Sequence, residues 1–127
     1  MKKIFISHAW NYDKYYWTVH DWIQEELDVA NYSIPKHDNC GDNLTNKKLT
    51  ECINEQIRQS QVIIILSGMY VGHSDWIQHE IKKAYDMDKY IIGVRPWGSE
   101  RLPQIVQDKA NIIVGWNKNS IINAIKS

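Results

Sequence analysis

Short apolar runs alternate with amphipathic stretches from one end of this chain to the other. That alternation limits the possible folds more than any single motif. The clearest run, Val62-Ile63-Ile64-Ile65-Leu66, is closed by Ser67-Gly68 and reads as a strand covered on both faces. Lys2–Ser7 reads as a first strand, and Tyr90–Val94 as a further apolar one. Tyr32–Ile34 is a weaker strand stopped by Pro35, and Asn111–Val114 completes the set. Between these runs the period changes. Val19, Trp22, Ile23, Leu27 and Ala30 recur at helical spacing over Asp13–Ala30. Leu49, Ile53 and Ile57 fall one turn apart in a second helix. Ile77, Ile81 and Ala84 form the stripe of a third, for which Ser74 or Asp75 is the candidate cap. Asn117–Lys126 reads as a last helix. Lys36–Asn46, with Gly41, and Pro96–Pro103, with its Trp-Gly turn, read as loops.

Strands and helices in alternation imply a parallel sheet with helices on both faces. The expected fold class is α/β: a flavodoxin-like three-layer sandwich with a five-stranded parallel sheet in the order 2-1-3-4-5. A chain of 127 residues supports one continuous core, so residues 1–127 are expected to form a single domain. With 43% hydrophobic and 24% charged residues, the balance argues against disorder. In that strand order the direction of travel reverses between strands one and three, and ligands bind outside the carboxyl ends of the strands at such a point. Ser7, His8, Ala9 and Trp10 after strand one, and Ser67 with Gly68 after strand three, are therefore expected to frame a site.

Several functions are excluded. Lys+Arg and Asp+Glu are 15 each, so the basic excess that nucleic-acid binding requires is missing. The longest apolar run falls far short of the ~20 residues that span a bilayer. Lys2-Lys3 is followed by only three apolar residues and is read as part of a strand rather than a targeting segment, so a cytoplasmic protein is expected. Cys40 and Cys52 form neither a disulfide scaffold nor a metal pattern, and reduced thiols are expected. His20, His37, His73 and His79 make no H-E-x-x-H, and no metal is assigned. The dinucleotide fingerprint, the P-loop and the nucleophile elbow are all absent. A phospho-accepting receiver would need carboxylates for Mg²⁺ where this chain has Ser7-His8 and Ser67.

The most informative stretch is Ser74-Asp75-Trp76-Ile77-Gln78-His79-Glu80. Trp76 and Glu80 are four apart and share a helix face. At about 100° per residue, Glu80 lies roughly 70° from the centre of the Ile77/Ile81/Ala84 stripe, at its shoulder. A carboxyl there, one turn from a tryptophan, is a candidate for a partly desolvated catalytic acid. On spacing alone, a solvated glutamate paired with Lys82 or Lys83 is the plainer reading.

Longer phrases shift that weighting. Ile4-Phe5-Ile6-Ser7-His8 followed by Asp13 resembles the opening of TIR domains, and Trp76 to Glu80 followed by Ile81, Ala84 and Lys89–Val94 resembles their third helix and fourth strand. Tyr32-Ser33-Ile34-Pro35, Ser60–Gly68 and Val114-Gly115-Trp116-Asn117 more closely resemble the TIR-like family of Thoeris antiphage signalling (ThsB-type). The resemblance covers nearly the whole chain and rests on the order and spacing of these phrases together.

The resemblance implies one of two functions, the assembly of signalling complexes or the cleavage of NAD⁺. In the enzymatic case Glu80 occupies the position of the family's catalytic glutamate on the third helix. NAD⁺ would be substrate, with no cofactor, and the product would be ADP-ribose or a cyclic isomer. Nicotinamide leaves as a neutral molecule, so the help needed is with positive charge growing on the ribose, which a carboxylate can stabilise. Ser7, His8 and Ala9 would meet the diphosphate, and Trp76 would pack on a flat ring. Asp38 and Asn43 lie in the loop that in TIR domains contacts a neighbouring subunit and helps close the site. Trp10 and Trp97 are candidates for the rim or an interface. Each of these has a plainer reading as a packing, strand-end or loop residue. Expected partners are NAD⁺, further copies of the chain through TIR–TIR contacts, and a separate effector that senses the product, with no nucleic acid and no membrane. Two other readings stay open: a non-catalytic interaction module acting through Lys36–Asn46, and a nucleoside or nucleotide N-glycosidase with similar chemistry on a smaller substrate.

Overall fold

The computed structural model describes residues 2–6, 14–31, 46–66, 70–95 and 104–126. In chain order these form β1 (Lys2–Ile6), α1 (Lys14–Glu26), β2 (Val29–Asn31), α2 (Asn46–Gln59), β3 (Val62–Leu66), α3 (Tyr70–Asp86), β4 (Tyr90–Val94), α4 (Gln104–Lys109), β5 (Ile112–Val114) and α5 (Lys118–Lys126). All strand pairs are parallel, and the five-stranded sheet runs β2-β1-β3-β4-β5. Going from β1 to β2 the chain steps one way along the sheet. From β2 to β3 it steps back past β1. Right-handed crossovers in opposite directions place α1 and α2 on opposite faces. The contacts agree: α1 packs with α5, and α3 packs with both α2 and α4.

The apolar runs became the core. All five residues of β3 are buried, as are Ile91, Ile92 and Val94 of β4 and Ile4, Phe5 and Ile6 of β1. Tyr16, Val19 and Ile23 bury one stripe of α1, and Ile121, Ile122, Ala124 and Ile125 bury the facing side of α5. Trp22 of α1 meets Trp116, two residues before α5, with their rings 5.3 Å apart, and Tyr15 is edge-on to Trp116 at 5.8 Å.

Two side chains extend the ladder where strands begin. Gln61 N–H donates to the Lys3 carbonyl at 2.8 Å, while Gln61 Oε1 accepts from Lys3 N–H at 3.0 Å. Asn111 repeats the device on Ile91: its N–H donates to the Ile91 carbonyl, and its Oδ1 accepts from Ile91 N–H, both at 2.8 Å. A backbone donor that would otherwise lie beyond the ladder is satisfied in each case. At the end of α3, Lys89 N–H bonds the Ala84 carbonyl at 2.9 Å and Asp88 N–H bonds the Tyr85 carbonyl at 3.1 Å. This closes the helix in the pattern that needs a left-handed residue, here Asp88 at φ 57°.

Several boundaries differ from expectation, β5 and α5 each starting one residue later, at Ile112 and Lys118. The first helix ends at Glu26 rather than Ala30, because Val29–Asn31 pair with Lys2–Ile4 and the sheet edge takes the chain. The second strand is thus Val29–Asn31, and Tyr32–Ile34 lies outside the described residues. Likewise α3 starts at Tyr70, so Ser74 and Asp75 lie within the helix rather than capping it. A cap preference worth about 1 kcal/mol does not set a boundary by itself. The short α4 carried no periodic signal; Pro103, one position before its first residue, was the available sign of a helix start. Cys52 is disulfide-bonded, against the expectation of reduced thiols, and the chain's other cysteine, Cys40, lies outside the described residues. Among the described residues no helix is long and apolar enough to cross a membrane.

Candidate functional site

The residues expected to frame a site follow β1 and β3. These strands are parallel neighbours, with Ile4 opposite Val62 and Ile6 opposite Ile64, so the chain leaves both at the same sheet edge. Ser7, His8, Ala9, Trp10, Ser67 and Gly68 themselves lie outside the described residues, as do Asp38, Asn43 and Trp97. Trp76 is on α3, but its side chain is outside the described ones. Glu80 is the expected site residue whose side chain the structure describes.

Glu80 is buried, with 1% of its surface exposed. This corrects both earlier placements. It is not a solvated glutamate on the outer face, and it lies deeper than the shoulder position that helical angle alone assigned. The helix is packed on more than one side: Ile81 and Ala84 are wholly buried, and α3 meets β3 and β4 of the sheet as well as α2 and α4. The Oε2 atom is itself buried. Taking a carboxyl out of water is costly, and natural chains retain one mainly where it is paired or used.

Polar groups gather along the α2–α3 seam. His79 Nε2 lies 2.8 Å from Asn54 Oδ1; since that oxygen can only accept, the ring N–H donates. Burial, and secondarily the charge of Lys83, hold the His79 pKa below its ordinary value, which favours the neutral ring. Gln56 of α2 and Ser60, just past its end, are also buried, and Ser60 Oγ–H donates to the Gln56 carbonyl at 2.8 Å. Sequence reasoning missed Asn54 and Gln56. Their signal, polar residues on the inner side of a helix also carrying Ile57, is visible only once α2 is laid on α3. A separate cleft of about 250 Å³, lined by Tyr85, Asp88, Lys89, Lys109 and Asn111, opens where β4 and β5 begin.

The strand order and the alternation of strands with helices define a doubly wound parallel α/β domain. The chain belongs to the family described as Thoeris protein ThsB, TIR-like domain, which matches residues 5–101. No curated protein sequence matches it. Among solved structures it is similar to the CMP N-glycosidase BcmB of Clostridium botulinum, with a TM-score of 0.65 and 16% identity, covering 98% of each chain. At that identity the likeness is one of fold, and it extends over the whole domain. CapF, solved with the inhibitor 3-isopropenyl-tropolone, aligns over 89% of this chain and 29% of its own at 12% identity. Its TM-score of 0.43 is too slight a likeness to define a fold.

Proposed function

We propose that the protein is a TIR-like N-glycosidase that cleaves the nicotinamide–ribose bond of NAD⁺, with Glu80 as its catalytic carboxylate. The observation that carries this reading is the near-complete burial of that side chain on α3, in a chain of the ThsB TIR-like family. Water attacks the anomeric carbon, the C1′–N bond breaks with its electrons passing to nicotinamide, and one proton is released; attack by an internal nucleophile gives a cyclic ADP-ribose isomer instead. Glu80 orients the ribose and stabilises its developing positive charge, an effect strengthened by exclusion of water. Because Glu80 is hidden in the single chain, substrate access requires an opening, which fits activity that depends on further copies of the chain. The product would act as an antiphage signal sensed by a separate effector.

A second reading is cleavage of a nucleoside monophosphate, favoured by the domain-wide likeness to a CMP N-glycosidase. The two reactions ask opposite things of the carboxyl. Nicotinamide departs neutral and wants a carboxylate nearby, whereas a pyrimidine base departs more easily when an acid protonates it. Concentrated wild-type protein and Glu80→Gln, incubated with NAD⁺ and with CMP, separate the possibilities by chromatography of the released base. Nicotinamide release by the wild type, reduced at least about 100-fold in Glu80→Gln, is the expected result. Cytosine release alone selects the second reading. Equal turnover by both proteins removes the role of Glu80, and no release at any concentration favours the interaction module.

A further inference from the structure

His79 and Glu80 are consecutive, so their side chains leave α3 about 100° apart. Glu80 enters the interior, while His79 reaches Asn54 on α2 across a separation of 25 residues. The apolar stripe of Ile81 and Ala84 sets how deeply α3 sits on the sheet. Apolar packing has no preferred direction, so it controls depth better than rotation about the helix axis. A hydrogen bond is directional and does control rotation. The partner helix is a fixed reference: Ile57 is wholly buried, and Lys89 Nζ donates to the Arg58 carbonyl at 2.8 Å near the end of α2.

We propose that the Asn54–His79 hydrogen bond sets the rotation of α3 and thereby aims the Glu80 carboxyl, making Asn54 and His79 positioning residues for the N-glycosidase reaction. This rests on the catalytic reading of Glu80 given above. Neither residue is asked to touch substrate. Their effect is geometric: a displacement of about 1 Å at a reacting group costs on the order of 100-fold in rate.

The test compares His79→Ala, Asn54→Ala, the double variant, His79→Gln and His79→Asn. The amide nitrogen of glutamine stands the same number of bonds from Cα as imidazole Nε2, and that of asparagine does not. The expected result is a fall in kcat of about 10- to 100-fold for each alanine variant, with KM changed by less than about twofold. The double variant should be no worse than either single one. His79→Gln should recover most of the loss and His79→Asn should not. A folded His79→Ala protein with wild-type kcat, additive losses, or failure of His79→Gln to recover would each overturn the proposal. A second readout does not need turnover. The ¹³C resonance of the Glu80 carboxyl, assigned by its disappearance in Glu80→Gln, is compared at one pH. It should shift in His79→Ala and return in His79→Gln. An inactive wild type would count against the catalytic reading, and an unmoved Glu80 resonance against the tie.

Discussion

A Cβ placed on Gly93 would stand 2.7 Å from Cγ1 of Val106, nearer than any real pair of such carbons. Gly93 lies within β4 and Val106, 1% exposed, is the buried residue of α4, so this glycine lets the short helix lie directly on the sheet. Gly93→Ala is expected to destabilise by about 1–3 kcal/mol through overpacking. Adding Val106→Ala opens the space, so the double variant should lose less than the sum of the two single losses. Urea unfolding measures all three. A Gly93→Ala protein as stable as the wild type would mean that α4 does not sit there.

Asn111 tests whether a side chain can serve as part of a ladder. Its Oδ1 is the acceptor for the amide of Ile91, which is 1% exposed. Asn111→Ala leaves that donor without its acceptor, at an expected cost of about 1–3 kcal/mol. Hydrogen exchange at the Ile91 amide should accelerate more than at Ile92. Unchanged protection at Ile91 would show that the contact contributes nothing.

The pH dependence expected of His79 follows from its depressed pKa, caused first by burial and then by Lys83. The unfolded chain takes up this proton near the ordinary value of 6.5, and the folded chain only at lower pH. In that window the unfolded state holds more protons, so stability rises with pH and falls as pH drops through 6.5. His79→Gln removes the effect. Its stability relative to the wild type should therefore improve between pH 7.5 and 5.5, by at most about 1.4 kcal/mol per pH unit. A relative loss over that range would reverse the assigned sign.

Glu80 should show the conflict between stability and use that marks reactive groups. Its side chain is 1% exposed, where holding a charge is costly. Glu80→Gln keeps the shape without the charge and is expected to raise the melting temperature by a few degrees, roughly 1 kcal/mol in a domain of this size, while abolishing turnover. A lower melting temperature would instead identify a carboxylate held by groups that require its charge.

Much of the architecture was legible in the sequence because it depends on local periodicity. The strand–helix alternation, the parallel sheet, and the limits of Val62–Leu66 and Tyr90–Val94 all follow from where apolar residues recur, and these runs have the same buried fate in any compact arrangement. Glu80 was also visible, from its spacing to Trp76 and from the family resemblance. Its depth was not, since helical angle says which way a residue leaves an axis but not whether a second helix covers that side. Packing around α3 placed Glu80 in the interior rather than at a shoulder, and the meeting of α2 with α3 brought Asn54 to His79. Pairing with β1 drew Val29 and Ala30 out of an apparent helix and gave Gln61 its backbone partner in Lys3, while Asn111 found its own in Ile91 of β4. Each of these depends on groups remote in the chain meeting at hydrogen-bonding distance, which a pattern of neighbours does not encode and only the packed sheet and its helices decide.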